Sequence, residues 1–310
     1  MNFTLKQLRY IEAAGRLGSI ARAAEEMNIS QSSITAAIDA LEQGLDYDIF
    51  VRTPAKGIQA TPSGAETLTL IRSFIDQSRH FETEMQSVGG DAAGLVRIAC
   101  YATAAPSFLP PILQAITEEF PGISIKLLEG NMDRITEFLF DGEADLVFTY
   151  EETIDQRQHF EPLFEAPAYA LISVRDPLAA QDSVSMAQLA ERPMVLLDLP
   201  RTREYFISMF TDKGLDANVA HTTRSSEICR TLVASGFGYS ILNIHPPEHL
   251  GADAPYRAVA IRDGGAAPVF GIATLAGARP PKTVRAFLDS CLRLSAANAF
   301  SGITVPLPAS

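Results

Sequence analysis

The stretch Ser19-Ile-Ala-Arg-Ala-Ala-Glu-Glu-Met-Asn-Ile-Ser-Gln-Ser-Ser-Ile-Thr-Ala-Ala-Ile-Asp-Ala-Leu-Glu42 reads as two short helices with a tight corner between them. Ser19 suits an N-cap, and Ile20 to Met27 is rich in alanine and free of Gly and Pro. Asn28 tolerates the left-handed conformation that ends a helix. Ser30 then caps a second helix, on which Ile34, Ile38 and Leu41 recur four and three apart along one face. Ser30, Gln31, Ser32, Ser33 and Thr35 gather short polar side chains at the start of that helix. Such groups reach base edges and phosphates when a helix enters a major groove. A plain helical hairpin with a polar outer face has the same local pattern.

The flanks decide between the two. Phe3-Thr-Leu-Lys-Gln-Leu-Arg-Tyr-Ile-Glu-Ala-Ala14 precedes the pair, opening a helix with Leu5, Leu8 and Ile11 on its apolar face. Asp48-Ile-Phe-Val-Arg52 and Ile58-Gln-Ala-Thr-Pro-Ser-Gly64 follow it, with a Gly57 turn between two short strands that predicts a wing. An Ala-Ala pair, Ser-Gln, Leu-Glu, Phe-Val-Arg and Thr-Pro-Ser-Gly, in that order and at matching spacing, resemble the winged helix-turn-helix of the LysR-type transcriptional regulators. The resemblance makes residues 1–61 a DNA-binding domain and implies a double-stranded DNA operator as partner. It departs from the family's pattern after Ser-Gln, where a basic residue is usual and this chain carries Ala36 and Ala37. Residues 1–65 hold six basic and seven acidic side chains. Phosphate contacts would then rest on hydroxyls, helix N-termini, Arg52 and Lys56, with a shallow salt dependence.

Thr61 followed by Pro62 starts a further helix. No Gly or Pro interrupts Ala65 to Val88, and Ile71, Phe74, Ser78, Phe81, Met85 and Val88 alternate three and four apart. This predicts a coiled-coil dimer arm about 40 Å long over residues 62–88, with Ile71, Phe74, Phe81, Met85 and Val88 as its seam. Gly89 to Gly94 is a flexible boundary that closes a linker at residue 92.

Beyond it, strands and helices alternate. One βαβαβ set covers Leu95–Thr149 and a second covers Val195–Leu242, each predicting a parallel sheet with right-handed crossovers. The apolar runs Tyr169–Val174 and Val269–Leu275 are expected to be strands crossing between two lobes, and Lys282–Leu294 a helix returning to the first. Two such lobes resemble the periplasmic-binding-protein fold, which the LysR-type family uses as its effector domain. The expected fold is therefore α/β, an all-α winged helix-turn-helix followed by a two-lobed, periplasmic-binding-protein-like effector domain over 93–300. Lobe I would be about 93–168 and 270–300, and lobe II about 169–269. From Ala296 on, the small, polar, Pro-bearing tail is expected to be disordered.

Ligands of open α/β sheets lie beyond the carboxyl ends of the strands, near helix N-termini. That rule selects Tyr101, Ala102, Thr103, Ala104, Glu129, Phe148 and Tyr150 in the first lobe. In the second it selects Arg201, Thr202, Arg203, Ser226 and Asn243. By resemblance, Ala102–Ala104 and the Thr202 region are where this family's effectors bind. Thr103, Thr202 and Ser226 at helix starts, with Arg201 and Arg203, favour a small organic anion or a zwitterion. Tyr101, Phe148, Tyr150 and Glu129 offer the opposite, an aromatic, acidic cage for a cation.

Other chemistry is weakly supported. His245-Pro-Pro-Glu-His249 matches the letters of a zinc motif, but adjacent prolines prevent the helix it needs. Gly236-Phe-Gly238 lacks the third Gly and following helix of a dinucleotide site. No nucleophile-base set or metal-ligand cluster stands out, so neither a cofactor nor a metal is expected. The three cysteines, Cys100, Cys229 and Cys291, are far apart and fit buried thiols in a reducing cytoplasm, with Cys100 near the ligand region as a minor redox candidate. The net charge of −12 opposes indiscriminate nucleic-acid binding. No apolar run reaches membrane-spanning length, and the N-terminus lacks the pattern of a signal peptide. The reading is an effector-controlled regulator, not an enzyme, forming a homodimer or, as the family commonly does, a homotetramer. The alternative is a solute-binding protein or enzyme on the same two-lobed fold.

Overall fold

A computed structural model of the chain describes residues 3–53, 57–86, 92–246, 254–277 and 279–307. Lys56, Val88, the boundary residues 89–91 and the Glu248 and His249 of the zinc-like motif lie outside the described residues. The chain divides into two compact units, Met1–Val88 and Gly89–Ser310.

In the first unit, α1 (Leu5–Leu17) starts in a capping box. The Gln7 N–H donates to the Thr4 hydroxyl at 3.2 Å, and the Thr4 N–H donates to the Gln7 side chain at 2.8 Å. Gly18 ends it at φ 62°. α2 (Ile20–Glu26) is capped by Ser19 and followed by Asn28 at φ 52°, and α3 (Gln31–Leu45) is capped by Ser30. The two-helix corner thus forms as its caps dictate. β1 (Phe50–Thr53) and β2 (Gly57–Ala60) pair antiparallel as the wing. α4 (Pro62–Gln86) follows, with the Gly64 N–H donating to the Thr61 hydroxyl at 2.8 Å. Gly64 is required there, because a Cβ would stand 2.0 Å from the Ile49 carbonyl oxygen.

The expected α4 seam needs one correction. Ile71 is 5% exposed and belongs to the unit's own core with Leu68, Ile75, Ile11 and Ile34. Phe74, Phe81 and Met85 are 50%, 64% and 59% exposed, and Leu70 joins them on the outside. Two apolar stripes run along this helix. Sequence spacing merged them, because neighbouring stripes on one helix share the three-four interval.

In the second unit the first sheet contains β3 (Gly94–Tyr101), β4 (Ile123–Gly130), β5 (Leu146–Tyr150), β6 (Gln158–Glu165) and β13 (Val269–Leu275). Among the described residues its order is β4-β3-β5-β13-β6. β3 runs parallel to β4 and β5, while β13 runs antiparallel to β5 and β6. Helices α5 (Ala105–Glu119), α6 (Met132–Phe140) and α10 (Lys282–Ala296) cover it, around Phe108, Phe148, Phe270 and Phe287. The second lobe contains β7 (Tyr169–Ser173), β8 (Ser183–Val184), α7 (Met186–Ala190), β9 (Met194–Leu197), α8 (Thr202–Thr211), β10 (Val219–Thr223), α9 (Ser226–Ala234), β11 (Ser240–Leu242) and β12 (Tyr256–Ile261). Its strands pair in the order β11-β7-β12-β8, and β9 pairs parallel with β10.

Two expectations change here. The runs at β7 and β13 each lie within one lobe's sheet, and the crossings are the segments beside them. There the Ala166 N–H donates to the Pro268 carbonyl at 2.8 Å, tying the two crossovers together. The tail is also anchored rather than disordered up to residue 307. Phe300 and Ile303 are buried, and the His245 N–H donates to the Ile303 carbonyl at 3.0 Å. Two apolar residues suffice to dock a polar tail. β6 is not legible in the sequence, because Pro162 breaks its strand pattern. It is the edge of its sheet, where a missing N–H costs little.

Candidate functional site

At the start of α3, the Ser30 hydroxyl accepts the Ser33 N–H at 3.2 Å and lies 2.8 Å from the hydroxyls of both Ser32 and Ser33. The cap is therefore a small hydroxyl network on an exposed helix start. Gln31 is exposed beside it, and Thr35 is half-buried. Of the two alanines, Ala36 faces outward and Ala37 is buried. Arg52 on the wing forms an ion pair with Asp39 of α3. The Glu42 carboxylate accepts the N–H groups of Ile49 and Phe50 at 2.7 and 2.9 Å, holding the wing to the helix. Sequence reasoning placed Glu42 in a motif without finding this role.

The second unit has a cavity of about 390 Å³ where the carboxyl ends of strands from both lobes meet. Tyr101, Thr103, Ala104, Tyr150, Arg201, Thr202, Ser226 and Asn243 line it, as the strand-end rule anticipated. Side-chain contacts across the cavity join the lobes. The hydroxyls of Tyr101 and Thr202 are 2.7 Å apart and buried, and Arg201 Nε donates to Asp133 Oδ1 at 2.6 Å. Asn243 Nδ2 donates to the Ala166 carbonyl at 2.8 Å, bracing the wall against a crossover. The loop into α8 is tightly turned. The Thr202 N–H donates to the Pro200 carbonyl at 2.7 Å across Arg201, which has φ 61° and ψ −43°. A γ-turn with positive φ is strained for a residue with a Cβ, and such strain gathers at ligand sites.

Four expected ligand residues are elsewhere. Ala102 is exposed and its N–H donates to the Gly130 carbonyl at 3.0 Å. Glu129 is exposed at the end of β4, the edge strand, away from the cavity lining. Phe148 sits two residues back from its strand end and is fully buried against Phe108, Phe270 and Phe287. Arg203 turns to Asp198 at 3.0 Å. The aromatic cage built on Phe148 and Glu129 is therefore not assembled. Tyr101 and Tyr150 do meet edge to face, with ring centroids 6.3 Å apart.

Sequence reasoning missed Glu152, Glu204, Tyr205, Arg230, Leu242 and Pro268, which also line the cavity. A helical signal for some was available. Arg230 lies four residues after Ser226 on α9, and Tyr205 lies four after Arg201, so each shares a face with a predicted residue. The phenols remain protonated near neutrality. Burial raises Tyr101 against the lowering effect of its hydrogen bonds with Thr103 and Thr202. Burial, then the neighbouring Tyr101, raises Tyr150 further, and burial raises Tyr205 against its bond with Asn243. They present neutral donors and flat apolar faces to a ligand.

Cys100 is fully buried, donates to the Leu128 carbonyl at 3.6 Å and does not line the cavity. Burial, with Glu129 nearby, pushes its thiol up to about 12, so it lacks the thiolate a redox sensor needs. Among the described residues no cluster of His, Cys, Asp and Glu could hold a metal, and no helix is long and apolar enough to cross a membrane.

Comparison with known proteins agrees with both regions. The family described as "LysR substrate binding domain" matches residues 89–296, and "Bacterial regulatory helix-turn-helix protein, lysR family" matches residues 5–65. The RuBisCO operon transcriptional regulator of Allochromatium vinosum is 27% identical over 249 residues, covering 80% of this chain and 82% of that protein. The crystal structure of HinK, a LysR family transcriptional regulator from Pseudomonas aeruginosa, matches with a TM-score of 0.62 at 30% identity. It covers 95% of this chain and 99% of its own. Full-length CbnR complexed with its target DNA shares the fold, with a TM-score of 0.56 at 20% identity over 94% of this chain and 100% of that one.

Proposed function

This chain belongs to the LysR family of DNA-binding transcriptional regulators, and we propose how its two units divide the work. Ser30, Gln31, Ser32, Ser33 and Thr35 read an operator in the major groove, and Arg52 and Lys56 contact phosphates from the wing. A homodimer or tetramer built on the outer stripe of α4 presents two such heads to an operator of dyad symmetry in the cytoplasm. A small organic anion or zwitterion binds in the cavity between the α/β lobes and biases their relative orientation, which changes how the heads meet DNA.

The observation that carries this reading is the cavity itself. It is lined from both lobes, and its walls are joined by the Tyr101–Thr202 hydroxyl pair and the Arg201–Asp133 ion pair. A ligand that replaces or strengthens those contacts has a different affinity for each lobe arrangement, which a switch requires. The test pairs two measurements on the full chain. A gel shift with the promoter beside its own gene should show a specific complex. A thermal-shift screen of small organic acids should raise the melting temperature of the effector unit, since a ligand that binds only the folded state stabilises it. The effector reading fails if Thr202→Trp, which fills the cavity, leaves the response of a stabilising compound unchanged.

A further inference from the structure

We infer that Arg230 selects the charge of the effector, and that the effector is an organic mono-anion, a carboxylate on an apolar body. The inference rests on the reading of the cavity as the effector site and names the chemistry it accepts.

Arg230 stands on α9, one turn after Ser226, and lines the cavity with its side chain 5% exposed. A guanidinium is charged at every physiological pH and carries five donors in a planar fork. Burying it is costly unless those donors are taken. Among the described residues its one ion partner is Glu227, at 3.4 Å, and that carboxylate is 68% exposed. Beside it the buried Tyr169 phenol is drawn to the Arg230 cation and turns its hydroxyl to that side chain. The Arg230 guanidinium at the cavity wall thus has more donors than these two partners can take. A carboxylate satisfies a guanidinium fork with two parallel hydrogen bonds, which an amide or hydroxyl cannot equal.

The other arginines do not compete. Arg201 is paired with Asp133 and Arg203 with Asp198. The remaining charges in the lining are the carboxylates of Glu152 and Glu204, both exposed. They repel a second anionic group on the ligand, so the cavity suits one negative charge better than two. Arg230 in turn repels a bare cation. Between the charges the walls are Tyr101, Tyr150, Tyr205, Phe206, Leu197 and Leu242, which favour an aryl or branched alkyl body.

A matched series on one carbon skeleton tests this on the full-length chain: phenylacetate, phenylacetamide, phenethylamine and phenylmalonate, by thermal shift and calorimetry. Phenylacetate should stabilise the effector unit, and the neutral, cationic and dianionic members should do so at least tenfold more weakly by affinity. Arg230→Gln should weaken phenylacetate by about tenfold to a hundredfold, the scale of losing a charge-assisted pair. Arg230→Lys keeps the charge without the fork and should fall between. It reads the same interaction if the Gln variant does not fold. Equal binding by Arg230→Gln and the parent overturns the assignment, as does stabilisation by the amide or amine equal to that by the acid. No stabilisation by phenylacetate at millimolar concentration overturns it too. Ser226→Trp separates the two levels of the reading. If it abolishes binding that Arg230→Gln leaves intact, the cavity is the site and Arg230 is not the selector. If it changes nothing, the cavity is not the site.

Discussion

Replacing Glu42 with Ala should detach the wing from the recognition helix. The carboxylate accepts two backbone N–H groups, from Ile49 at 2.7 Å and Phe50 at 2.9 Å. Hydrogen bonds to a charged group contribute about 1.5–3 kcal/mol each in favourable settings. Glu42 is half-buried, so the lower end of that range applies, roughly 1–1.5 kcal/mol each after solvent screening. Alanine recovers a few tenths of a kcal/mol through its better helix propensity. The expected loss is therefore about 2–2.5 kcal/mol in the first unit. Glu42→Gln keeps a carbonyl acceptor in place and should cost about 1 kcal/mol, since charge assistance is what it lacks. The chain divides into two units, so urea unfolding followed by circular dichroism should be fitted to separate transitions, with the change confined to the first. Operator affinity in a gel shift should fall with Glu42→Ala, because Arg52 and the rest of the wing lose their position. A loss below about 0.5 kcal/mol with normal DNA binding would refute the argument that this carboxylate sets the wing.

The two stripes of α4 should respond differently. Phe74→Glu with Phe81→Glu should dissociate the oligomer in light scattering while leaving each folded unit intact, whereas Ile71→Ala should cost about 2–4 kcal/mol of first-unit stability. An intact oligomer in the double variant would show that the outer stripe is not the interface. Gln31→Ala should weaken the specific operator by about 1–3 kcal/mol, and Arg52→Ala should weaken specific and random DNA alike. Equal loss on both DNAs for Gln31→Ala would remove it from sequence reading. Burial raises Cys100 to about 12 and Cys229 to about 11 from an ordinary 9.0. The folded state therefore holds these protons more tightly. The stability they contribute is present below pH 9 and is lost as pH rises from 9 towards 11 and 12. Iodoacetamide should leave them unmodified in the native chain at pH 8, and rapid alkylation there would contradict the burial.

The sequence determined what local chemistry determines. Ser19, Asn28, Ser30 and Thr61 mark helix ends by capping, and each end falls where those residues stand. Alternating α and β patterns mark out the lobes, and the strand-end rule selects Tyr101, Thr103, Tyr150, Thr202, Ser226 and Asn243, which line one cavity. What required the tertiary structure is what depends on which neighbour a side chain meets. Ile71 and Phe74 carry the same signal along the chain, and only packing against Ile11 and Ile34 separates the inner stripe from the outer. Phe148 and Tyr150 share one strand face, and two residues of depth decide that the first is core and the second is wall. Arg201, Arg203 and Arg230 are alike as letters. Asp133 and Asp198 pair with the first two at 2.6 and 3.0 Å, while the third is buried on α9 at the cavity wall with Glu227 at 3.4 Å. Capping and periodicity act within a few residues and are written in the chain. Burial, and a pairing such as Arg201 with Asp133, are set by contacts between residues far apart in it, so they appear only once the lobes have closed around them.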